Sequence, residues 1–444
     1  MLLSSPAAAA PNPLSASFTP LGDAYPAIGN PSEALGITPD GSVTVGTGTA
    51  VEGTVAFKWS AATGVRSLFP IADNSSAAYS QGTAVNADGS IVIGISSALG
   101  TLGTAVFWDA AGAVHSLGVF PAANPVSLAS GISEDGTIII GGSMTDGGLR
   151  AFRWTAATGM VNLGVWGSVV TQSQAAGISG DGSTIVGSGG NPPLTYVQGF
   201  RWTSANGYRQ ISNWSGAQTT RLEAKTASRD GRVIAGYGVS NNGYEAFVYT
   251  PTDGLVGLGD LPGGPFESYA RGMSADGSVI VGFGTTASGY EAFYWTADMG
   301  MRRLADVLTS YGVDLKGYIP LRAQAVSADG TVIVGSAISP ANVQVAFLAQ
   351  VPLLPPNADW NRSGRITVQD IFDFLAAWMA GTGDFNRDGV TSVQDIFDFL
   401  RTWFAQASPG TGPITLPALP DGVQGIEILD SPTSVDTLSK LLTK

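Results

Sequence analysis

The sequence predicts a mainly β protein, a seven-bladed β-propeller of four-stranded repeats followed by a small α-helical domain. Two observations predict this arrangement. A motif centred on Asp-Gly recurs seven times, with its aspartates at positions 40, 88, 135, 181, 230, 276 and 329. After the last copy, two related 12-residue stretches, 359–370 and 384–395, each precede an amphipathic segment with helical periodicity. The first observation indicates the propeller, and the second indicates a separate C-terminal domain.

The composition agrees with a turn-rich β protein and excludes several classes of function. Of 444 residues, 60 are glycine and 12% are charged, whereas ordinary shares are about 7% and about 25%. The net charge of −13 disfavours binding to nucleic-acid phosphates. The absence of cysteine excludes thiol catalysis, disulfides and zinc-thiolate sites. The single histidine, His115, falls in a predicted strand and is expected to be structural, and no apolar run approaches the length of a membrane span.

Residues 1–13 are apolar and rich in small side chains, but they contain no basic segment. They are expected to be either a disordered leader or the remnant of a signal peptide.

Each repeat begins with Ser, Thr or Asn, any residue and Asp-Gly, followed by an apolar run that ends on glycine. Successive aspartates are 48, 47, 46, 49, 46 and 53 residues apart. Asp-Gly is the expected turn between strands A and B, because glycine accepts the positive φ of a tight turn. Strand C carries a recurrent A-F-x-W sequence, as in Ala151–Trp154, and a second glycine turn leads to strand D.

Four strands in about 45–50 residues is the spacing of a propeller blade, since the coil of a solenoid is shorter. The seventh unit ends after strand C, at Ala346–Ala349, while an orphan D-like segment, Phe18–Gly22, precedes the first unit. A closing strand at about 17–22 would complete blade seven and remove an exposed sheet edge. The propeller is therefore predicted over residues 14–351, and a proline-rich linker over 352–356.

The order D-G, I-V-G, A-F-x-W and G-M-x-x-L-G resembles the HAF family of extracellular repeats over about three quarters of the chain. The resemblance implies an extracellular protein. The histidine that gives the family its name is absent, and its positions hold Val55, Thr104, Arg150, Gln198, Glu245, Glu291 and Val345. Any role of that histidine is therefore not expected in this chain.

One face of the propeller is expected to carry the longer and more variable B–C and D–A loops. Variable loops on a rigid scaffold are where binding usually occurs. The candidate ligand-binding residues on that face are Trp166, Trp214, Tyr244 and Tyr290. They would stack on sugars or pack against a protein; the structural alternative is that they cover local apolar surface.

Two other sets of repeated residues have structural explanations. One is a tryptophan at a single blade position, expected in the core between blades: Trp59, Trp108, Trp154, Trp202 and Trp295. The other is the pair Glu245 and Glu291 in blades five and six. Glycoside hydrolysis uses two carboxylates, but repetition of the fold already places these two at equivalent positions, and no catalytic residue is predicted.

The two 12-residue stretches have the spacing of calcium loops. Ca²⁺ takes six to eight oxygen ligands, from loop positions 1, 3, 5, 7, 9 and 12, and glycine at position 6 allows the sharp bend. The ligands predicted in loop one are Asp359, Asn361, Ser363, the Arg365 carbonyl, Thr367 and Asp370. Those in loop two are Asp384, Asn386, Asp388, the Val390 carbonyl, Ser392 and Asp395. Two Ca²⁺ ions are therefore predicted, with weaker binding in loop one because Ser363 stands in place of a carboxylate.

Position 12 is aspartate, no helix precedes either loop, and the octapeptide V-Q-D-I-F-D-F-L occurs at 368–375 and again at 393–400. These features resemble the dockerin family over residues 357–405. The resemblance implies a cohesin-like partner, contacted around loop positions 10 and 11, which are Val368, Gln369, Val393 and Gln394. Because the two copies are alike, the two halves are expected to present similar faces. The structural alternative is a calcium domain that only stabilises the chain, and residues 406–444 are expected to form a flexible tail.

Together these features predict a secreted or cell-surface protein without enzymatic activity. Its dockerin-like domain would dock onto a cohesin-like partner, and its propeller would bind glycan or protein. The alternative is a dockerin-borne enzyme of polysaccharide breakdown, with catalytic carboxylates on the propeller. Dockerins commonly accompany such enzymes, so this alternative rests on analogy.

Overall fold

The computed structural model describes residues 16–21, 29–50, 53–71, 79–97, 103–167, 170–191, 196–212, 214, 221–352, 358, 360, 366–385 and 390–406. Within these ranges the chain forms seven four-stranded antiparallel sheets and helices near the C-terminus. The predicted seven-bladed β-propeller is therefore confirmed. Residues 1–13, the linker beyond Pro352 and residues 407–444 lie outside the described residues.

Blades one to six each use four consecutive strands. The strands of blades one to three are β2 (Gly29–Ile37), β3 (Val43–Ala50), β4 (Gly53–Ser60) and β5 (Gly64–Leu68); β6 (Tyr79–Val85), β7 (Val92–Ser97), β8 (Thr104–Trp108) and β9 (Val114–Gly118); and β10 (Ser127–Ile132), β11 (Ile139–Thr145), β12 (Gly148–Thr155) and β13 (Gly159–Gly164). The strands of blades four to six are β14 (Gln172–Ile178), β15 (Thr184–Asn191), β16 (Tyr196–Thr203) and β17 (Gly207–Gln210); β18 (Leu222–Ala227), β19 (Ile234–Val239), β20 (Tyr244–Thr250) and β21 (Gly254–Gly257); and β22 (Ser268–Met273), β23 (Val279–Thr286), β24 (Gly289–Thr296) and β25 (Gly300–Arg303).

Blade seven joins the two ends of the propeller. It contains β26 (Ile319–Val326), β27 (Val332–Ile338) and β28 (Gln344–Gln350), and its fourth strand is β1 (Ser17–Pro20). Strand β1 pairs antiparallel with β28, with Ser17 opposite Gln350 and Pro20 opposite Phe347. This is the closing strand that the orphan segment predicts. The short helix α1 (Leu304–Ser310) packs between blades six and seven.

The turn between the first two strands of a blade is held by the serine and aspartate of the repeat. In blade three, Ser133 Oγ donates to Asp135 Oδ1 (2.6 Å) and accepts the N–H of Ile138 (3.0 Å). Asp135 Oδ1 also accepts the N–H of Thr137 (3.0 Å). The Ser133 and Thr137 hydrogen bonds hold the pKa of Asp135 below its ordinary value. Gly136 has φ 73°, a conformation that favours glycine, so the repeated motif is a structural turn.

Backbone hydrogen bonds link these turns around the ring. The residue before the turn aspartate donates its N–H to the carbonyl of its counterpart in the next blade, over 2.8–3.0 Å. These bonds run from Ala87 to Glu134, Glu134 to Gly180, Arg229 to Ala275, Ala275 to Ala328 and Ala328 to Pro39. From blade four to blade five, Asp181 donates to Arg229 instead (3.1 Å). Within the described residues the bond from blade one to blade two is missing, because its donor position is Pro39, which has no N–H.

A buried serine at the start of the inner strand joins each of several blades to the blade before it. Ser127 Oγ donates to the carbonyl of Gly118 (2.7 Å) and accepts the N–H of Ala105 (2.8 Å), both in blade two. The same pair of bonds is made by Ser80, Ser173 and Ser268. Blade five has Leu222 at this position, and the facing residue is Gly199. A Cβ at Gly199 would lie 2.5 Å from Leu222 Cδ2, so the two departures from the repeat match each other.

The aromatic residues of the A-F-x-W sequence form the core. The phenylalanines are fully buried: Phe57, Phe152, Phe200, Phe247, Phe293 and Phe347. The tryptophans pack towards the preceding blade, as predicted. Trp59 lies in one apolar cluster with Val332 of blade seven, and Trp108 lies in another with Leu68 of blade one.

The C-terminal domain has an apolar core of its own. It contains helices α2 (Val368–Met379) and α3 (Val393–Gln406). Phe374 and Phe399, which occupy the same place in the two octapeptides, stack with ring centroids 4.3 Å apart and are fully buried. Phe385 and Trp403 complete the core with Trp360 at its margin.

Replacing a bridging serine should destabilise the propeller. Ser127→Ala leaves the buried N–H of Ala105 and the carbonyl of Gly118 without this partner, and we expect the free energy of unfolding to fall by about 1–3 kcal/mol. Urea unfolding of the full chain measures it. Ser204→Ala, in an exposed turn, is the control and should change stability by less than about 0.5 kcal/mol. Equal effects of the two substitutions would contradict the bridging role.

Candidate functional site

The predicted calcium ligands fall partly within the described residues. The described residues include Thr367 and Asp370 of loop one, and Asp384, Val390, Ser392 and Asp395 of loop two. The other predicted ligands lie outside the described residues: Asp359, Asn361, Ser363, Arg365, Asn386 and Asp388.

Asp395 draws the two ends of loop two together. Its side chain is fully buried, Oδ1 accepts the N–H of Phe385 (2.9 Å), and Oδ2 accepts the N–H of Ser392 (2.7 Å). Phe385 follows Asp384 at the start of the loop, and Ser392 is at loop position 9. In loop one, Asp370 Oδ2 accepts the N–H of Thr367 (2.8 Å) in the same way and caps α2. The acid at loop position 12 therefore organises the loop through the backbone.

The donor atoms available in loop two suit a hard cation. Asp384, Ser392 and Asp395 offer carboxylate and hydroxyl oxygens, and Val390 offers a carbonyl, which are the ligand types that Ca²⁺ prefers. Within the described ranges no group of three Asp, Glu, His or Cys side chains is placed to hold a metal. Those ranges contain four of the six predicted ligands of loop two, so the donor chemistry fits and the set is incomplete there.

The two halves of the C-terminal domain interlock through their tryptophans. Trp378 Nε1, on α2, donates to the carbonyl of Ser392 in loop two (2.6 Å). Trp403 Nε1, on α3, donates to the carbonyl of Thr367 in loop one (2.9 Å). Each helix therefore holds the loop of the other repeat at the equivalent position, as in a pair related by a local two-fold axis.

The predicted partner residues lie at the starts of the two helices. Gln369, Val393 and Gln394 are exposed, and Val368 is half-buried. Gln369 Nε2 donates to Asp373 Oδ1 (2.9 Å), and Gln394 Nε2 donates to Asp398 Oδ1 (3.1 Å). The two halves therefore present the same polar arrangement.

Two exposed phenylalanines on this surface were not predicted from the sequence. Phe372 is 52% exposed and Phe397 is 41% exposed. Each lies four residues after Val368 or Val393, on the same side of its helix. The octapeptide contains two phenylalanines, and this is the sequence feature that could have indicated them. The second phenylalanine of each pair is in the core, and the first faces outward. We call Val368, Gln369 and Phe372 the first docking patch, and Val393, Gln394 and Phe397 the second docking patch.

Of the four aromatic candidates on the propeller, the two tryptophans cover local apolar surface. Trp166 stacks on Tyr208 at 4.8 Å and meets the edge of Phe200 at 5.2 Å. Trp214 meets Phe247 edge-on at 6.1 Å. Both are half-buried members of the packing between blades, so the structural alternative accounts for them.

Tyr244 and Tyr290 belong to a different environment, near the axis of the ring. The first strand of each blade lies against the first strands of both neighbours, so these strands surround the axis. In blades five to seven, charged and aromatic side chains of these first strands contact side chains of the second and third strands, among them Tyr244 and Tyr290. We call them the axial cluster, and its members are Arg221, Glu223, Lys225, Tyr237, Tyr244, Glu267, Tyr269, Arg271, Phe283, Tyr290 and Arg322.

Aromatic rings form a continuous chain through the axial cluster. Tyr269 contacts Tyr237 at 4.8 Å, Tyr244 at 5.6 Å and Phe283 at 4.9 Å, and Phe283 meets Tyr290 edge-on at 5.4 Å. Burial, together with the nearby Glu267 carboxylate, raises the pKa of Tyr269 to about 12. Tyr290 donates its hydroxyl to Glu267 Oε2 (3.1 Å) and is 37% exposed. The cluster therefore presents neutral phenols at neutral pH.

Glu223 is the best-satisfied charge of the cluster. It is bound by Arg221 (2.8 Å), by Lys225 (2.9 Å) and by the Tyr237 hydroxyl (2.7 Å). Burial acts to raise the pKa of Glu223, but Lys225 and the other two partners outweigh it and bring the pKa below its ordinary value. Burial and the Glu223 charge raise the pKa of Tyr237 well above its ordinary value.

The carboxylates of Glu245 and Glu291 are occupied by structural partners. Glu291 is 3% exposed, receives two hydrogen bonds from the Arg303 guanidinium and one from Thr286 Oγ1 (2.9 Å). Glu245 is 8% exposed, and its Oε1 accepts the N–H of Gly259 (3.2 Å). Repetition of the fold explains their equivalent positions.

His115 contacts two side chains of its own blade. Its Nε2 lies 2.9 Å from Asp109 Oδ2, and its ring stacks on Phe107 at 4.6 Å. The His115 and Ala113 hydrogen bonds hold the pKa of Asp109 below its ordinary value.

Among the described residues, no helix has the length and apolarity needed to span a membrane.

Comparisons with known proteins give only distant structural likenesses. No protein-family model and no curated protein match the chain. An oligogalacturonate lyase from Vibrio parahaemolyticus is similar at 12% identity, over 77% of this chain and 98% of that chain, with a TM-score of 0.49. An oligogalacturonate lyase in complex with manganese has 15% identity over 72% and 88%, with a TM-score of 0.47. TolB from Acinetobacter baumannii has 13% identity over 61% of this chain and 62% of its own length, with a TM-score of 0.40. At such identities the likeness concerns the propeller fold alone.

Glu223 should contribute to the acid sensitivity of the propeller. Its folded-state pKa lies below the ordinary value of 4.5. Its contribution to stability is therefore fully present above the unfolded-state pKa and is lost as the pH falls through the folded-state pKa. We expect the free energy of unfolding to decline less steeply below pH 4.5 in Glu223→Gln than in the unaltered protein, measured by urea unfolding at several pH values. Asp314→Asn, at an exposed position, should keep the slope of the unaltered protein. A slope in Glu223→Gln as steep as in that control would refute the assignment.

Proposed function

We propose that this protein is a secreted or cell-surface docking protein without enzymatic activity. Its C-terminal dockerin-like domain binds two Ca²⁺ ions and attaches to a cohesin-like partner, and its propeller is a platform for a glycan or protein. The observation that carries the proposal is the duplicated surface of the C-terminal domain, with an exposed phenylalanine and glutamine at the same place on each helix.

The construction of the domain supports a role for bound calcium. The core is small, and both loops depend on a buried aspartate that holds backbone amides. A module of this size gains much of its folding energy from a bound metal. The residues that would hold the ions are the six predicted oxygen donors of each loop, and Ca²⁺ would neutralise their clustered negative charge. The loops would then position the two helices through the reciprocal tryptophan hydrogen bonds.

The two docking patches support attachment to another protein. Exposed aromatic residues beside adaptable amide side chains are typical of interface anchors. Phe372 and Phe397 are exposed and do not belong to the apolar core of the domain. Because the patches are alike, a partner that recognises one of them can recognise the other after a half-turn of the domain.

The enzymatic alternative has no comparable support. The two glutamates considered for it are bound by Arg303 and by the backbone of Gly259. The docking role is supported by the surface of the C-terminal domain and by the resemblances of the sequence.

Docking should be strongly weakened only when both exposed phenylalanines are replaced. Either single change, Phe372→Ala or Phe397→Ala, leaves one intact patch and should weaken binding by no more than about two-fold. The double variant should lose more than about ten-fold, since both anchors are gone. Surface plasmon resonance of the full chain over a panel of immobilised cohesin modules, in calcium and in EGTA, measures these affinities.

Phe69→Ala is the matched control, because Phe69 is a propeller phenylalanine that is 58% exposed, and its removal should leave docking unchanged. If the full chain fails to bind any cohesin module in calcium, or if the double variant binds as well as Phe69→Ala, the docking role is wrong.

Calcium binding should be unequal in the two loops. Loop one has Ser363 at position 5, where loop two has Asp388, so it offers one carboxylate fewer and should bind Ca²⁺ more weakly. Isothermal titration of calcium-free protein should resolve two sites, and Ser363→Asp should bring the weaker one towards the stronger. Equal sites in the unaltered protein would contradict this order.

A further inference from the structure

We propose that the axial cluster is a binding site for the carboxylate of a sugar acid, with Arg271 and Arg322 as its anion-binding residues. This inference rests on the proposed role of the propeller as a platform and names the ligand class. It does not depend on docking by the C-terminal domain.

Two guanidinium groups in the axial cluster have no acidic partner. Among the described residues, neither Arg271 nor Arg322 forms an ion pair, and Arg271 Nε is buried without a hydrogen-bond partner. A buried donor that makes no hydrogen bond is costly. Arginine recognises carboxylates through two parallel N–H bonds, so the terminal N–H groups of Arg271 and Arg322, which no acid of the described residues occupies, can bind one.

The aromatic residues hold the two guanidinium groups in place. Arg271 lies 5.3 Å from the centroid of Phe283, and Arg322 lies 5.2 Å from the same ring. Arg271 is also 5.7 Å from the ring of Tyr237, and Arg322 is 5.8 Å from the ring of Tyr290. These cation–π contacts restrict the side-chain rotamers of both arginines. A site held in advance in this way loses little entropy on binding.

The repeated fold does not explain these charges. The residues seven and five positions before each turn aspartate are half-buried on the inner strands in every blade. In blades two to four both positions are uncharged: Gln81, Thr83, Leu128, Ser130, Gln174 and Ala176. Blades five to seven place Lys225, Arg271 and Arg322 there, together with one acid, Glu223. Glu33 of blade one is bound by Gln324 (2.7 Å). Positive charge is thus concentrated in one sector of a chain whose net charge is −13.

The charge balance of the cluster favours a ligand with a single negative charge. The axial cluster contains four cationic groups and the carboxylates of Glu223 and Glu267, and with the adjoining carboxylate of Asp260 the sum is one net positive charge. Asp260 lies behind Glu267, and its Oδ2 accepts the N–H of Glu267 (3.1 Å). A dianionic phosphate would meet more repulsion from these carboxylates than a carboxylate would.

The remaining groups of the cluster suit the hydroxyls of a sugar. Glu267 accepts hydrogen bonds and offers none, and the neutral phenols of Tyr269 and Tyr290 both donate and accept them. The half-exposed ring of Tyr290 offers an apolar face at the rim of the site. A ligand with one carboxylate and several hydroxyls satisfies both the cationic and the acceptor groups, which defines a sugar acid.

The test is calorimetric titration of the calcium-loaded full chain at low salt with a galacturonate trisaccharide and a glucuronate disaccharide. Galactose and glucose serve as neutral counterparts, and glucose 6-phosphate serves as the dianion. We expect binding of at least one uronate, no measurable binding of the neutral sugars at the same concentration, and weaker binding of the phosphate. Arg271→Gln and Arg322→Gln should each lower uronate affinity at least ten-fold, and Arg209→Gln, an exposed arginine on β17, should leave it unchanged.

Circular dichroism would show whether each variant retains the fold. If a glutamine variant does not fold, the corresponding lysine variant takes its place; it keeps the charge but loses the paired N–H geometry, and it should bind at least three-fold more weakly. The proposal is overturned if the unaltered chain binds no uronate, if neutral sugars or the phosphate bind as tightly, or if the arginine variants bind normally. Binding to cohesin modules should be unaffected by uronate and by both arginine changes, so failure here is distinguishable from failure of the docking role.

Discussion

The whole propeller depends on the fact that one blade cannot cover its own faces. The aromatic residues of strand C are buried only because the neighbouring blade packs over them, and the bridging serines place hydrogen bonds across the same junctions. Each blade therefore needs a neighbour on both sides, and only a closed ring provides one for every blade. The pairing of β1 with β28 meets it at the last junction, because otherwise the seventh blade would leave β28 as an unpaired edge.

Such a scaffold makes departures from the repeat more informative than the repeat itself. Pro39 lacks an N–H, so in the described part of the chain the hydrogen bond between the turns of blades one and two is missing. Leu222 faces Gly199, because a side chain at position 199 would clash with that of Leu222. The second departure is compensated locally, because Gly199 leaves room for the side chain of Leu222. Within the described residues, the guanidinium groups of Arg271 and Arg322 pair with no acid, and Arg271 Nε is buried without a hydrogen-bond partner, which is why they indicate a ligand. Glu245 and Glu291, by contrast, are buried and bonded where the repeat places them.

The C-terminal domain uses duplication in a different way. Its two copies do not extend a ring; each tryptophan closes onto the loop of the other copy. The domain therefore builds its core from Phe374 and Phe399 and still leaves Phe372 and Phe397 outside. A surface repeated twice on one small domain is suited to docking, while the single asymmetric cluster on the propeller axis is suited to a small ligand.

The number of blades, the turn at each Asp-Gly, the closing strand and the inter-blade tryptophans could all be predicted from the amino-acid sequence, because these features follow from spacing and local chemistry that recur in every unit. Local pattern also predicted two calcium loops that end at Asp370 and Asp395, which stays a prediction. It did not separate Trp166 and Trp214, which cover the core, from Tyr290, which lies at the rim of the axial cluster. It also could not bring Lys225, Arg271 and Arg322 together, since they are about one repeat apart along the chain. Only closure of the ring, which sets successive inner strands side by side around one axis, decided that these three residues share a site.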